Sequence, residues 1–430
     1  MSLVEGAARV GWLVAALAAV LLLAFAGRLV ARALRQPAVI GEVAFGLAAS
    51  PLVLAVAGPG VAAALPLDWL GTCGHIGLVL FLVGVIHELR SAPRFVRGRA
   101  IGWTTAGAVA VPLAAGAGLA AWVLTGGDGG LRGDAPAASL AVFLAVSLSV
   151  TAVPVLARIL SDHNLVGTRI GTLAMTVAVV TDAAAWLLVA LAVSLKAGGL
   201  GELPALAGLI VVALLGAFAV RRVLGTPRLL RLAARRPRLT ALFVAAWGLG
   251  VAAALRSWGL TEVLGAALAA LAIPTVGTNP DRVDRDDWGE AVRAVARVGR
   301  LLVPVFFVVT GFSVFAEPFA VASWSAIALV TLVGLVGKVG GAYAGARLGG
   351  EPREVALSLG VLLNTRGLTE LVVLQIGYDA GILTPAMFLA LAVMALVTTA
   401  LTGPSYALIQ YAAHRRPRTV PVPVAHNGGL

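Results

Sequence analysis

The sequence predicts an all-α polytopic membrane protein with about 13 transmembrane helices. Of its 430 residues, 60% are hydrophobic and only 12% are charged, whereas a soluble protein carries about 25% charged residues. The apolar residues also run in stretches close to the ~20 residues that a membrane-spanning helix needs. Basic residues, finally, are concentrated in alternate gaps between these stretches. Together these observations exclude an ordinary soluble protein.

Charged or Gly/Pro-rich breaks separate the apolar stretches that form the predicted helices. The first four helices are predicted at Gly11–Ala33, Val39–Ala57, Leu70–Ile86 and Ala100–Leu124. The next five are predicted at Ala137–Leu160, Ile170–Leu195, Leu203–Val220, Leu239–Leu255 and Leu260–Ile273. The last four are predicted at Leu301–Phe315, Val321–Ala346, Val355–Ile376 and Pro385–Tyr411.

The basic residues predict the orientation of the chain. If the helices alternate in direction, 26 of the 32 Lys and Arg residues lie in the gaps after odd-numbered helices or in the last two turns of those helices. Cytoplasmic loops of membrane proteins carry such an excess of basic residues. We therefore expect a multi-pass protein of the cell membrane with its N-terminus outside and its C-terminus in the cytoplasm. The net charge of +12 then requires no nucleic-acid partner.

The ends of the chain give two further expectations. The segment before the first helix is nearly uncharged and the first arginine cluster follows the helix, which is the wrong pattern for a cleaved signal peptide. Residues 1–411 are expected to form one transmembrane domain. Residues 412–430 are expected to be a short, disordered cytoplasmic tail with no soluble regulatory domain.

Charge inside a membrane span is costly and usually functional, and five ionisable side chains of the predicted spans stand out as candidates. They are Glu42, Asp182, Lys338, Arg366 and Glu370. Asp182 lies near the middle of a long segment without another charge, so it can bind a proton or a cation, or pair with a basic residue of another helix. Lys338 is the natural counter-ion, unless its chain extends to the membrane surface.

The other three buried charges allow less specific assignments. Glu42 is near the predicted cytoplasmic entrance of helix two, where a structural and an ionic role are equally compatible with the sequence. Arg366 and Glu370 are spaced i, i+4 and can neutralise each other on one helix face, which favours Arg366 as a structural pin rather than an ion ligand. Arg256 and Glu262 flank a predicted turn, where we expect a solvated or interfacial position.

Two predicted helices contain breaks at membrane depth. Thr151 and Pro154 interrupt helix five, because proline removes a backbone hydrogen bond. Asn364, Thr365 and Gly367, together with Arg366, make the middle of helix twelve too polar for a simple lipid-facing span. Paired broken helices in the two halves of a chain are typical of secondary transporters.

Other functional classes find less support in the residues. The five histidines form no HExxH pair for a zinc protease, and an intramembrane aspartyl protease would need a second buried aspartate. The single Cys73 excludes disulfide frameworks and thiolate metal clusters. We expect neither enzymatic activity nor a cofactor. A channel or a carrier of an organic solute on the same fold remains an alternative.

From Gln36 to Pro404 the chain resembles the second branch of the monovalent cation:proton antiporter family, which includes bacterial sodium or potassium exchangers and plant cation/H+ exchangers. The segment in helix twelve is the longest and most specific match. The matching segments are QPAVIGEVAFGLAASP, TAVPVLARIL, TDAAAWLLVALAVSL, LLVPVFFVVTGF, LNTRGLTELVVLQIGYDAGILTP and MALVTTALTGP.

The resemblance implies a homodimer of 13-helix subunits, each with a dimerisation domain and a mobile core in which helices five and twelve cross at the ion site. It places Asp182 at the essential ion- and proton-binding aspartate and Lys338 at the core lysine. Thr151, Asn364 and Thr365 fall at the crossing, and Thr181, directly before Asp182, is expected to belong to the same cation and proton site. The expected function is exchange of K+ or Na+ for H+ by alternating access.

Two positions depart from the family pattern. The residue before the aspartate is Asp in electrogenic members and usually Asn in electroneutral ones, but it is Thr181 here. One carboxylate favours one-for-one, electroneutral exchange, with electrogenic exchange through Lys338 as the alternative. In FLVGVIHELR the family's entrance acid is replaced by Ile86, and Glu88 follows two residues later.

Overall fold

The structure is a computed structural model, which describes residues 3–34, 36–46, 48–49, 52–53, 65–91, 98–126, 129–197, 203–275, 287–314 and 323–414. Within these ranges the regular structure is entirely helical. The predicted tail lies outside the described residues from residue 415 onward, as do residues 54–57 of predicted helix two. The helical class predicted from composition is confirmed.

The first eight helices, in chain order, are α1 (Leu3–Ala33), α2 (residues 38–46), α3 (Leu67–Ser91), α4 (Gly98–Thr125), α5 (Ala137–Ser149), α6 (Val153–Asp162), α7 (Arg169–Ala197) and α8 (Leu203–Leu224). The others are α9 (Pro227–Arg235), α10 (Pro237–Ser257), α11 (Glu262–Ala272), α12 (Asp287–Val314), α13 (Trp324–Leu348), α14 (Arg353–Leu363), α15 (Leu368–Asp379) and α16 (Pro385–His414). In the described part of the chain, nine spans are long and apolar enough to cross a membrane.

Each predicted span corresponds to one of these helices or to a pair of half-helices. Predicted helix five is divided into α5 and α6, and predicted helix twelve into α14 and α15. Both breaks therefore occur where the sequence predicted them. Pro154 lies in the first turn of α6, where the missing N–H would have no helical partner, so it starts a half-helix rather than kinking a continuous one.

Two features of the helices differ from the prediction. Helix α12 begins at Asp287, 14 residues before the predicted start, because its first turns are amphipathic and escape a search for continuous apolar stretches. The short helix α9 was not predicted. It is basic, with Ala233 buried and its arginines exposed, and nine residues cannot cross a bilayer.

The helices pack into two bundles. Helices α4–α7 and α13–α16 pack mainly against one another, and we call them the core bundle. Helices α1, α3, α8 and α10–α12 form the second, or scaffold, bundle. Among the described helices other than α2, contacts between the bundles are fewer than contacts within them and involve mainly α7 against α8 and α11, and α3 against α6 and α7.

Small residues allow close packing inside the core bundle. A Cβ added to Gly341 of α13 would collide with the carbonyl of Gly107 on α4 and lie 2.8 Å from the Cβ of Val111. Glycine at such crossings lets two membrane helices approach backbone to backbone. The α4–α13 pair thus forms a tight base for the half-helices.

Candidate ion-binding site

The two broken helices cross at their breaks. The backbone N–H of Ala152, between α5 and α6, donates to the carbonyl of Thr365, between α14 and α15, over 2.9 Å. The Thr151 hydroxyl donates to the carbonyl of Leu363 over 3.0 Å. Each break thus satisfies polar groups that the other exposes, which is what irregular backbone requires at membrane depth.

Two basic side chains cap the C-terminal end of half-helix α5. Arg366 donates from Nη1 to the Ser147 carbonyl over 2.6 Å and from Nη2 to the Leu148 carbonyl over 2.5 Å. Lys338 donates to the carbonyls of Ser149 and, over 3.0 Å, Ala108. The last carbonyls of a helix carry partial negative charge, so these cations stabilise a helix end that no lipid could solvate.

Arg366 is also paired with Glu370, as the i, i+4 spacing predicted. Nη1 of Arg366 lies 2.7 Å from Oε1 of Glu370, and both side chains are fully buried. The guanidinium group therefore joins α15 to α5 and is itself neutralised. The prediction that Arg366 pins the broken helix, rather than binding an ion, agrees with these contacts.

Asn364 and Thr365 are buried within the same crossing. The Asn364 amide reaches the Thr398 carbonyl of α16 over 3.5 Å, while its Oδ1 has no hydrogen-bond partner. The Thr365 hydroxyl donates to the Leu362 carbonyl over 2.8 Å. Asn364 Oδ1 is thus a buried oxygen whose acceptor capacity is unused.

Asp182 lies in the middle of α7 and is only 2% exposed. Its Oδ2 accepts a hydrogen bond from the Thr261 hydroxyl over 3.5 Å. Thr261 is the N-cap of α11 and accepts from the backbone N–H of Leu264 over 3.0 Å. The positive end of a helix dipole therefore lies beside the carboxylate, across the boundary between the two bundles.

Thr181 does not extend this polar contact. Its hydroxyl donates to the Ala178 carbonyl one turn earlier on α7, over 2.9 Å. Asp182 is consequently the carboxylate that this part of α7 brings to the bundle boundary.

A cavity of about 640 Å³ runs along this boundary and reaches Ala183, the neighbour of Asp182. It lies at the end of the molecule where α3 and α8 end and α7 begins. Thr172 and Thr176 of α7 line one wall, and Leu264 and Leu268 of α11 line another. An ion could travel through this cavity to within one residue of the buried carboxylate.

Lys338 is not the counter-ion of Asp182. It is fully buried, so it does not extend to the surface either, and its ammonium group binds the two backbone carbonyls described above. Both sequence-based assignments are wrong for the same reason. The last carbonyls of α5 have no partner within the helix, so one of them, at Ser149, accepts a hydrogen bond from the Lys338 ammonium group.

Glu42 has a structural setting. It is fully buried and forms ion pairs with Arg28 of α1 and Arg158 of α6, the latter over 3.6 Å. Arg158 also pairs with Asp162 over 3.3 Å. These contacts join α1 of the scaffold bundle to α6 of the core bundle, and they favour the structural alternative for Glu42.

The family's entrance position has no acid here. Ile86 lines the cavity that leads toward Asp182. Glu88 is exposed and lines a different cavity, with Arg238, Arg293 and Glu290 among its neighbours. The approach to Asp182 from this side is therefore apolar apart from hydroxyl groups and two arginines, Arg90 and Arg221.

Sequence reasoning missed the contribution of the α10–α11 turn. Arg256 and Glu262 were expected to take a solvated or interfacial position. Arg256 is exposed, in agreement with this expectation. Glu262 contacts His75 of α3, and Thr261 contacts Asp182. One signal was available, since a threonine directly before an apolar run predicts a helix N-cap. Which carboxylate that N-cap would meet was not predictable, because 79 residues separate the pair.

Comparison with known proteins identifies the family. The model of the transmembrane sodium/hydrogen exchanger family matches residues 19–409. The chain is 34% identical over 394 residues to cation/H(+) antiporter 20 of Arabidopsis thaliana. This alignment covers 86% of this chain but only 45% of the plant protein. It is 30% identical over 391 residues to the Na(+)/H(+) antiporter NhaS4 of Synechocystis, covering 86% of this chain and 90% of that protein.

The fold comparison agrees with the sequence comparison. The structure of the sodium proton antiporter MjNhaP1 from Methanocaldococcus jannaschii aligns with a TM-score of 0.54, covering 94% of this chain and 98% of that one. At 16% identity this likeness bears on the fold alone. Since the family model covers most of the chain, this protein belongs to the transmembrane sodium/hydrogen exchanger family, among the monovalent cation:proton antiporters.

Proposed function

We propose that this protein exchanges a monovalent cation, K+ or Na+, for H+ across the membrane by alternating access. The observation that carries the proposal is Asp182, a carboxylate buried between two helix bundles, next to a residue that lines the cavity between them. Relatives named as cation/H+ and Na+/H+ antiporters support the reaction type. The chain spans about half the length of its plant relatives, so their names describe larger proteins.

In the proposed cycle, Asp182 binds either a proton or the cation and crosses between the two sides with the core bundle. The empty, charged carboxylate does not cross, because an unpaired charge in a low-dielectric interior is costly, and this couples the two fluxes. Thr151, Asn364 and Thr365 are proposed to support the cation site from the helix crossing. Thr181 and Pro154 shape the backbone beside it.

We further propose electroneutral, one-for-one exchange. Lys338 donates to two backbone carbonyls, and these acceptors stabilise the protonated ammonium group. The transported proton is therefore assigned to Asp182 alone. The distribution of basic residues supports a cell-membrane protein with its N-terminus outside. Family resemblance supports a homodimer.

The decisive experiment uses purified protein in vesicles with an imposed pH gradient. Adding K+ or Na+ should collapse the gradient with the wild-type chain but not with Asp182→Asn, which cannot exchange a proton for a cation. Glu88→Gln, an exposed acid outside the site, is the matched control and should keep wild-type exchange. Cation-dependent collapse by Asp182→Asn would refute the assignment, while cation flux without proton coupling in the wild type would favour a channel.

A further inference from the structure

Three charged or titratable side chains meet just beyond Asp182, on the side away from the cavity. They are His75 of α3, Arg256 at the end of α10 and Glu262, the first residue of α11. His75 Nδ1 lies 2.5 Å from Oε1 of Glu262, and Arg256 Nη1 lies 3.6 Å from Oε2. Each carboxylate oxygen of Glu262 therefore lies close to a nitrogen atom of one of the other two side chains.

This cluster adjoins the ion-binding carboxylate through one residue. Thr261 precedes Glu262 and donates to Asp182, while the cavity ends on the opposite side of that contact, at Ala183 and Leu264. The Asp182–Thr261 contact therefore separates the cavity from the cluster. In the conformation described here, the cavity approaches Asp182 from the side opposite Glu262 and reaches its neighbour Ala183.

Exposure increases from Asp182 outward through the cluster. Asp182 is 2% exposed, the side chain of Glu262 15%, and that of His75 36%, while Arg256 is 61% exposed. Within the described ranges, the charged or titratable groups that contact Glu262 are His75 from α3 and Arg256 from α10, while Asp182 from α7 contacts the preceding Thr261. Helix α12 contributes the Phe306 ring, 5.4 Å from the His75 ring.

We propose that Glu262 is a second cation-binding residue, which receives the transported cation at the face where α10 ends and passes it to Asp182 past Thr261. His75 and Arg256 occupy its carboxylate in the closed state and are displaced when that side opens. The inference rests on the proposed cation exchange. Carboxylate oxygens suit hard cations, and Glu262 directly follows Thr261, the residue that contacts Asp182.

A purely structural role for Glu262 makes a different prediction. An acid in the first turn of a helix stabilises it through the helix dipole, and the contacts with His75 and Arg256 would then only hold α11 in place. Loss of such an acid would lower stability and turnover, with no preference for one side of the membrane. A binding residue instead changes the cation KM on one side only.

The test compares right-side-out and everted membrane vesicles, in which the cation is titrated from opposite faces. For Glu262→Gln we expect the KM for Na+ or K+ to rise about tenfold at the face where α10 ends, which is the outer face in the predicted orientation. The KM at the other face and the kcat should stay near wild type. Glu262→Asp, which retains the charge, should restore much of the affinity.

Arg256→Gln should act in the opposite direction. Removing a partly exposed competitor of the cation should lower the same KM about two- to fivefold. Glu290→Gln, an exposed acid elsewhere, is the control and should change neither KM. The proposal is overturned if the Glu262→Gln variant, with a wild-type melting temperature, has a wild-type KM at both faces. It is also overturned if the KM of this variant rises at both faces or if only its kcat changes.

The two proposals fail in distinguishable ways. Suppose that the wild-type chain exchanges cations for protons and Asp182→Asn does not. If Glu262→Gln then has the wild-type KM at the face where α10 ends, only the role of Glu262 is wrong. If the wild-type chain shows no coupled exchange, the proposed function itself is wrong.

Discussion

Thr181, the residue before the buried carboxylate, is expected to set the charge carried in each cycle. Its hydroxyl is bonded to its own helix, so Asp182 has no acidic neighbour in sequence. Thr181→Asp adds a second titratable group, so that more than one proton can be exchanged for each cation. Net charge then crosses the membrane in each cycle, and transport should become sensitive to membrane voltage. Thr181→Asn, of similar size but uncharged, is the control and should remain insensitive. The test is to measure exchange rates of the wild type and both variants in vesicles whose membrane voltage is set by an ionophore. Voltage-sensitive transport by the wild type would show that another group, such as Lys338, already carries charge.

Helices α4 and α13 form the element on which both half-helix pairs rest, and their separation depends on Gly341. A leucine at this position would collide with the Gly107 carbonyl, and overpacking of this kind costs about 1–3 kcal/mol. Gly341→Leu should therefore lower the melting temperature of the purified protein and reduce exchange. The neighbouring Gly340 is exposed and a Cβ there meets nothing within 4 Å, so Gly340→Leu should melt like the wild type. Equal melting temperatures for the two variants would mean that the α4–α13 approach contributes little to stability.

At the scale of the whole molecule, the sparse contacts between the bundles should allow the cavity to close. With Cys73→Ser as background, Thr176→Cys places a thiol on the cavity wall. At alkaline pH without a transported cation, a membrane-impermeant thiol reagent should label it readily, because the empty charged carboxylate holds the protein in this conformation. Adding the cation should slow labelling, since the loaded site can cross and the population shifts. Thr168→Cys, on an exposed turn, should label at the same rate in both conditions. An unchanged rate at Thr176→Cys would indicate bundles that do not move.

Much of the site was predictable from local features of the sequence. The depth of Asp182, the two helix breaks and the pairing of Arg366 with Glu370 follow from apolar segment length, proline and glycine placement and i, i+4 spacing. The partners of Lys338 and Glu42 were not predictable in this way. Lys338 contacts a carbonyl 230 residues away, and only the packing of α4, α5 and α13 brings those atoms together.

The sequence by itself determined the class of the protein, the order of its predicted spans, the positions of both helix breaks and the burial of Asp182 and of the Arg366–Glu370 pair, because lipid requires long apolar helices and penalises every charge within them. Only the tertiary structure decided which groups meet those charges. It placed the cations on the open end of α5, put Thr261 beside Asp182 and brought His75, Arg256 and Glu262 together. The physical reason is that pattern along one helix sets what is buried, whereas the packing between helices sets what each buried group contacts.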